Sequence, residues 1–261
     1  MAFAADWLSL REPADHDARD AGLVTDLAQW AATRESLRIF DLGSGTGSTL
    51  RALGGHLPGH QRWTLFDIDP VLRTRAEELI GDGPFAECLE SVEAADLSAD
   101  LESVLTRGPD ILTASALIDL CSADWLDRLA EALPRQTALY IALTYDGREQ
   151  WPPEPPQEDR ALAAFAAHQR GDKGFGPSLG PGAAQHLAAA LEKRGRRVVL
   201  RNSPWRIPGQ GALAQELARG GADAVREMEV FTPEDWSAWR AGRLTADTVV
   251  VGHLDLLSLP E

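Results

Sequence analysis

The chain has 261 residues, of which 44% are hydrophobic and 25% are charged, a composition typical of a folded globular protein. Its 40 acidic side chains outnumber its 25 basic ones and give a formal net charge of -15. A chain this acidic repels nucleic acid unless it carries a local basic stripe, and short basic runs such as 193–197 do not form one, so we expect no nucleic-acid partner.

The cysteine content and the N-terminal sequence limit the compartment. The 2 cysteines, Cys88 and Cys121, are too few for a disulfide framework or a zinc site, so we expect no metal. Acidic side chains are interleaved with apolar ones in residues 1–20, unlike in a signal peptide, and no apolar run is long enough to span a membrane. We therefore expect a cytoplasmic protein with no membrane partner.

Apolar runs and amphipathic stretches alternate along the chain, which predicts an α/β fold with a parallel sheet covered by helices on both faces. Residues 1–36 are expected to form an N-terminal helical cap, because Leu23, Leu27 and Trp30 recur at helical spacing. Further helices are expected from near Ser48 and over 125–133. The runs interpreted as strands are 37–42, 62–66, 110–113, 137–143, 197–200 and 247–257, with a weakly marked third strand just before Asp96.

The alternation is interrupted between residues 148 and 182. Prolines are concentrated in 151–156, an alanine-rich helical stretch follows at 160–168, and 171–182 is rich in glycine. We interpret this segment as a lid-like insertion after the fifth strand, over a pocket at the strand ends. A surface excursion with no role is the alternative. The whole chain, 1–261, is predicted to be one domain.

A glycine-rich loop with the sequence DLGSGTG occupies residues 41–47, directly after the first strand. Glycine at every second position permits positive φ and lets a ligand approach the backbone closely. A dinucleotide-binding fingerprint has Gly or Ala where this chain has Ser48, which argues against that class. A phosphate-binding P-loop requires a lysine here, and the chain has none near the loop.

Aspartates accompany this loop in a pattern that suits a nucleoside with a cationic tail. Asp41 opens the loop, where a carboxylate repels a pyrophosphate but attracts an ammonium group. Asp67 ends the second strand, about twenty residues further on, and can accept two hydrogen bonds from a ribose diol. Asp96 follows the third strand and either accepts from an adenine amine or caps its own loop.

The motif Asp-x-Gly-x-Gly-x-Gly at 41–47, together with Asp67 and Asp96, resembles that of the class I S-adenosylmethionine-dependent methyltransferases. The resemblance covers about 37–147 and implies a Rossmann-like seven-stranded sheet with an antiparallel edge formed by the last strands. It implies S-adenosyl-L-methionine as cofactor and S-adenosyl-L-homocysteine as product. The residues that it assigns to cofactor binding are Asp41, Gly43, Ser44, Gly45, Asp67, Ile68, Asp96, Leu97 and Ser115.

The acceptor end of such a pocket is less clearly marked. Arg11, Arg170 and Lys173 are candidates for binding an acidic small-molecule acceptor, with solvated surface positions as the alternative. Asp119, after the fourth strand, is also assigned to substrate binding, although it could instead cap the following helix.

Two residues are candidates for catalysis. His168 titrates near neutrality and suits the role of a general base, and Tyr145 is expected at the pocket rim after the fifth strand. The Asn/Asp-Pro-Pro-aromatic signature of relatives that methylate nucleic-acid bases or protein amides is absent after the fourth strand, which argues against those substrates.

The sequence thus predicts a methyltransferase acting on an O, N or S atom of a small molecule, with a carboxylate-bearing metabolite as one candidate. A protein that binds the cofactor without catalysis, as a sensor or a partner in a complex, is the first alternative. The second is an NAD-dependent oxidoreductase, which the chain argues against because it lacks a Tyr-x-x-x-Lys pair.

Overall fold

Residues 4–260, described by a computed structural model, follow the predicted alternation of strands and helices. The strands are β1 (Ser36–Leu42), β2 (His60–Asp67), β3 (Leu89–Ala94), β4 (Ile111–Ser115), β5 (Ala138–Gln150), β6 (Arg197–Asn202), β7 (Trp205–Pro208) and β8 (Thr248–Leu259). The helices are α1 (Ala5–Ala18), α2 (Ala21–Ala31), α3 (Ser48–Leu53), α4 (Pro70–Gly81), α5 (Leu101–Leu105), α6 (Ala123–Ala132), α7 (Glu158–Gln169), α8 (Ala183–Glu192), α9 (Ala212–Glu227) and α10 (Pro233–Leu244).

The strands form one sheet in the order β3-β2-β1-β4-β5-β8-β6. Strands β1 to β5 are parallel, and β8 runs antiparallel to both β5 and β6. This is the predicted seven-stranded arrangement with its antiparallel edge. The structure adds an eighth, short strand that the sequence analysis did not predict, because β7 pairs with the first part of β8.

Alternating side chains of the strands contribute to two hydrophobic cores, one on each face of the sheet. On β1, Leu37 and Ile39 belong to one core, while Phe40 and Leu42 belong to the other. Strand β1 lies between β2 and β4. From β1 the chain first forms β2 and β3 on one side and then crosses to form β4 on the other side. The carboxyl ends of β1 and β4 therefore flank the crevice in which ligands bind in open α/β sheets.

Helices α7, α9 and α10 pack on one another around a third hydrophobic cluster. Helix α7 lies within the predicted insertion, whereas α9 and α10 lie between β7 and β8 and were not predicted. Arg243 of α10 joins this helical lobe to the sheet: it pairs with Glu149 of β5 at 2.8 Å and with Glu158 of α7 at 2.5 Å. All three side chains of this network are buried.

Candidate functional site

A cavity of about 560 Å³ opens beside the carboxyl ends of β1 and β4, a size typical of small-molecule sites. Its walls come from α1, the glycine loop, the ends of β2 and β4, the segment after β3 and residues 173–175. The predicted residues that line it are Arg11, Gly43, Ser44, Gly45, Asp67, Ile68, Asp96, Leu97, Ser115 and Lys173.

The glycine loop requires its glycines. Gly43, Gly45 and Gly47 have φ angles of 62°, 55° and 79°, a region that residues with a Cβ rarely adopt. A Cβ at Gly47 would also lie 2.6 Å from Cδ1 of Ile80. The loop is held on the sheet by the Ser44 amide, which donates to the Phe66 carbonyl at 3.0 Å. The backbone at the cavity floor is therefore fixed before any ligand binds.

The Asp67 carboxylate connects the end of β2 to this loop. Its Oδ2 accepts from the Gly45 amide at 2.8 Å, and its Oδ1 accepts from the Asp69 amide at 2.9 Å. Asp69 caps α4 by accepting from the Val71 amide at 2.8 Å. Each carboxylate oxygen can accept more than one hydrogen bond, so Asp67 is fixed and still has capacity for hydroxyl donors from a ligand in the cavity.

Asp41 does not line the cavity, contrary to its predicted contact with the ligand. It is fully buried behind the wall, where its Oδ1 accepts from the Thr113 hydroxyl at 2.7 Å and its Oδ2 has no partner among residues 4–260. Burial raises the pKa of this carboxyl to about 7, opposed by the hydrogen bond from Thr113 and by the charge of Arg19. Its influence on the cavity is therefore electrostatic and not by contact.

Arg19, which the sequence analysis missed, lines the cavity near Asp41. Its Nη2 donates to the Ser115 hydroxyl at 2.9 Å, and that hydroxyl also accepts from Thr49 at 3.2 Å. Its buried Nε and Nη1 have no hydrogen-bond partner within the described part of the chain. A guanidinium with unused donors in a cavity wall is suited to bind a carboxylate.

Asp96 caps its own turn, as one of its two predicted roles requires, and also lines the cavity. It lines the cavity, and its Oδ1 also accepts from the Ser98 amide at 3.0 Å and from the Ser98 hydroxyl at 2.6 Å. The carboxylate therefore stabilises its own turn and faces the cavity at the same time. The neighbouring Leu97 is buried, and its carbonyl accepts from Nε1 of Trp125 at 2.7 Å.

Helix α1 packs against the glycine loop. A Cβ at Gly45 would lie 3.0 Å from Cδ1 of Leu8, so the helix closely approaches the loop. Glu12 accepts two hydrogen bonds of 2.7 Å from Arg51 of α3, and Arg51 in turn donates to the Thr46 carbonyl at 2.6 Å. These charge-assisted contacts fix α1 over one side of the cavity.

Besides Arg19, two cationic side chains, Arg11 and Lys173, lie in the cavity wall formed by α1 and residues 173–175. Arg11 is neutralised by Asp15, to which it donates at 2.8 and 3.1 Å, and its guanidinium carbon lies 5.2 Å from the centre of the Trp205 ring. Lys173 is half-buried and forms no ion pair within residues 4–260. Lys173 is therefore the more available of the two for an anionic ligand.

Besides Asp41 and Asp119, three further predicted site residues lie outside the cavity wall. Arg170 is exposed and does not contribute to the lining. His168 points to α9, where its Nε2 lies 3.1 Å from Oε2 of Glu227. Tyr145 donates to Oε1 of Glu149 at 3.1 Å, and burial together with that carboxylate raises the pKa of its hydroxyl. Their placement removes the support for His168 and Tyr145 as catalytic groups.

Asp119 lies in a 3-10 turn at 118–120 that follows β4, between the lining residues Leu117 and Leu120. It does not cap α6, because the Ser122 side chain performs that function by accepting from the Trp125 amide at 3.2 Å. Its Oδ1 is buried without a partner in the described structure, and burial raises the pKa of the carboxyl to about 6.

The described residues, 4–260, contain no group of three or more His, Cys, Asp or Glu side chains arranged to hold a metal ion. Over the same range, no helix is both long and apolar enough to cross a membrane.

No family model matches the chain, and no curated protein matches it in sequence. Solved structures are similar to it. The YcgJ protein from Bacillus subtilis is 15% identical with a TM-score of 0.53, covering 93% of this chain and 100% of its own. A cyclopropane-fatty-acyl-phospholipid synthase-like protein from Lactobacillus casei is 15% identical with a TM-score of 0.54, covering 95% of this chain and 99% of its own.

A third structure similar to this chain is a SAM-dependent methyltransferase from Thiobacillus denitrificans, solved in complex with S-adenosyl-L-homocysteine. It is 16% identical with a TM-score of 0.51, covering 98% of this chain and 99% of its own. At such identities the likeness shows the fold alone. The predicted class I methyltransferase fold is thereby confirmed.

Proposed function

We propose that this chain is an S-adenosylmethionine-dependent methyltransferase that transfers a methyl group to an O, N or S atom of a small-molecule acceptor. The observation that carries the proposal is the cavity, which joins the glycine loop and Asp67 to the unpartnered donors of Arg19. An adenosine with an amino-acid tail presents hydroxyl donors at one end and a carboxylate at the other, and the cavity offers partners for both.

Several polar atoms of the cavity wall lack partners in a way that fits this cofactor. Besides Nε and Nη1 of Arg19, the hydroxyls of Ser44 and Thr46 are buried without hydrogen bonds to any part of the chain that the structure describes. Arg19 would bind the carboxylate of the methionine part, and a bound ammonium group would in turn favour the charged form of Asp41 behind the wall. Asp67 would accept from the ribose hydroxyls, and Asp96 with Leu97 would contact the adenine.

S-adenosylmethionine supplies an electrophilic methyl group on a sulfonium. The protein's contribution to such a displacement is mainly positioning and exclusion of water. Leu8 from α1, Leu117 from the turn after β4 and Phe175 from the insertion provide apolar wall. Phe175 is held by an edge contact to Trp125, with ring centres 5.5 Å apart. We infer that segment 148–182, which contributes Lys173 and Phe175, serves as the lid.

We also infer that the acceptor carries an anionic group, such as a carboxylate, that pairs with Lys173. Arg11 is already neutralised by Asp15, and Arg170 lies outside the cavity, so neither replaces it. In a chain with a net charge of -15, a lysine without an ion-pair partner in a cavity wall provides a local site for an anion.

The proposal predicts that S-adenosyl-L-homocysteine stabilises the protein against heat. At about a hundred times its dissociation constant a ligand adds roughly 2.7 kcal/mol, which for a chain of this size raises Tm by about 5 to 10 °C. NAD at the same concentration is the control and is expected to leave Tm unchanged. A rise in Tm with NAD alone would overturn the methyltransferase assignment. Binding of S-adenosyl-L-homocysteine without methyl transfer to any acceptor would favour a sensor.

Replacing Lys173 by methionine is expected to raise the KM for an acidic acceptor by about tenfold or more, because a charge-assisted hydrogen bond contributes at least 1.5 kcal/mol. The Kd for S-adenosyl-L-homocysteine should be unchanged. The chain's other lysine, Lys193, is exposed at the end of α8, so Lys193→Met is the matched control. Equal KM values for both variants and wild type would show that Lys173 is only a solvated loop residue.

A further inference from the structure

The turn between β4 and α6 carries a carboxylate to which no other residue of the described structure forms a hydrogen bond. No other residue within 4–260 forms a hydrogen bond to the Asp119 side chain, and its Oδ1 is buried without a partner. The residue as a whole is half-buried, so the carboxylate is not sealed inside the protein. An unpartnered carboxylate destabilises the folded state, because burial removes hydration without replacing it by hydrogen bonds.

The turn that carries Asp119 borders the cavity. The turn follows β4, which pairs directly with β1, and both strand ends border the cavity. Leu117 and Leu120, which flank Ile118 and Asp119, line it, whereas Asp119 itself is not part of the lining. Arg11, the charged group of α1 that acts on Asp119, lines it as well and opposes the effect of burial on its pKa.

The loop at the end of the insertion lies over the same turn. The Leu179 amide donates to the Cys121 carbonyl at 2.9 Å, and a Cβ at Gly176 would lie 3.4 Å from Cβ of Ser122. Lys173 precedes this contact and lines the cavity. The loop that carries Lys173 and the segment that carries Asp119 are thus in contact beside the cavity.

We infer that Asp119 is the general base of the methyl transfer and that the acceptor atom is an amine, hydroxyl or thiol and not a carboxylate. This inference rests on the proposed function. The acceptor atom forms a bond to the methyl carbon, and the carbon–sulfur bond breaks with its electron pair left on sulfur. The proton of the acceptor atom passes to the Asp119 carboxylate, which releases it to water. The anionic group that pairs with Lys173 then serves only to position the acceptor.

The first test uses Asp119→Asn, with Asp124→Asn as the matched control, because Asp124 is an exposed acid in the first turn of α6. Both variants should bind S-adenosyl-L-homocysteine with the wild-type Kd by calorimetry. Wild type, incubated with [methyl-³H]S-adenosylmethionine, is offered glycine, phenylalanine, anthranilate, salicylate and 3-mercaptopropionate, with acetate and benzoate as acids that lack the extra nucleophile. Methyl transfer to an amino, hydroxy or mercapto acid should yield a product stable to alkali.

General-base catalysis typically contributes 10² to 10⁴ in rate, so kcat of Asp119→Asn should fall by about that factor while Asp124→Asn keeps the wild-type value. The wild-type rate should decline below about pH 6, and this limb should be missing from the residual activity of Asp119→Asn. The inference would be overturned if wild type formed alkali-labile methyl esters or methylated acetate or benzoate. It would also be overturned if kcat of Asp119→Asn equalled the wild-type value. So would the absence of any transfer by a wild type that binds S-adenosyl-L-homocysteine, whereas failure to bind it would overturn the proposed function first.

A second readout is independent of activity. The folded-state pKa of Asp119 is raised from 3.8 to about 6, so the folded protein holds a proton that the unfolded chain has lost, and stability falls as pH rises through this range. The Asp119→Asn variant has no carboxyl to ionise at this position and therefore does not lose stability in this way as pH rises. Its Tm relative to wild type should therefore be higher at pH 7.5 than at pH 4.5. An equal loss of Tm at both pH values would show that Asp119 is a structural hydrogen-bond acceptor and would contradict the inference.

Discussion

Replacing Asp67 by alanine is expected to weaken the binding of S-adenosyl-L-homocysteine by about 100-fold or more. Hydrogen bonds to a charged group contribute about 1.5 to 3 kcal/mol each, and two ribose hydroxyls would lose a carboxylate acceptor. The substitution also removes the acceptor of the Gly45 amide, a contact of 2.8 Å that holds the glycine loop against β2. The lost contacts to the ribose and the loosened glycine loop would both raise the Kd. Calorimetry measures their combined effect.

The control for charge is Asp69→Asn, two residues away. Asp69 also lines the cavity and caps α4 through its Oδ1, and asparagine retains that capping oxygen. Its effect on Kd should stay within about threefold, since a partly exposed charge contributes little. A ligand-free melting curve for each variant separates loss of binding from loss of folding. Wild-type affinity in a folded Asp67→Ala variant would show that the ribose is not held at the end of β2.

The part of the site that could be predicted from the sequence is the part with local signals. The glycine loop follows an apolar strand and precedes a helix, and its positive φ angles explain the glycines at 43, 45 and 47. Asp67 could be assigned to the site because it ends β2. In contrast, β3 was only weakly marked, since this edge strand has no fully buried residue and so lacks an apolar run.

Helix α9 was missed although Leu213, Leu217 and Val225 recur at helical spacing. Gly220 and Gly221 interrupt its pattern, and glycine disfavours a helix interior by about 1 kcal/mol. The structure supplies a reason for Gly221: a Cβ there would lie 3.3 Å from Nη1 of Arg243. The glycine makes room for a side chain distant in sequence, which no local pattern reveals.

Long-range packing also decided which polar residues reach the cavity. Arg19 has no motif around it in the sequence, and its role became visible only through its contact with Ser115, 96 residues away. His168 and Tyr145 were assigned to catalysis from their residue types, but partners on other elements, Glu227 and Glu149, hold them elsewhere. Residue type and neighbourhood in sequence therefore predicted the cavity wall around the glycine loop and the end of β2 better than the positions of His168, Tyr145 and Arg170.

Replacing Arg243 by alanine is expected to lower the free energy of unfolding by about 3 to 5 kcal/mol, because it leaves buried carboxylates without their counter-charge. Arg243 is 3% exposed and lies between Glu149 and Glu158, and Nε1 of Trp239 donates to Glu158 at 2.6 Å. For a chain of this size the loss corresponds to a Tm lower by roughly 10 °C. The surface pair of Arg219 with Glu216 at 2.5 Å supplies the control, and Arg219→Ala should change stability by about 0.5 kcal/mol or less.

A triple variant separates the effect of charge at Arg243 from that of packing. Adding Glu149→Gln and Glu158→Gln to Arg243→Met removes the uncompensated charges, and most of the lost stability should return. A combined variant no more stable than Arg243→Ala would show that packing against Trp151 and Trp239, and not charge, makes Arg243 necessary. The network also fixes the start of α7, and Lys173 follows the end of that helix. A folded Arg243→Met variant should therefore raise the acceptor KM while leaving the Kd for S-adenosyl-L-homocysteine unchanged.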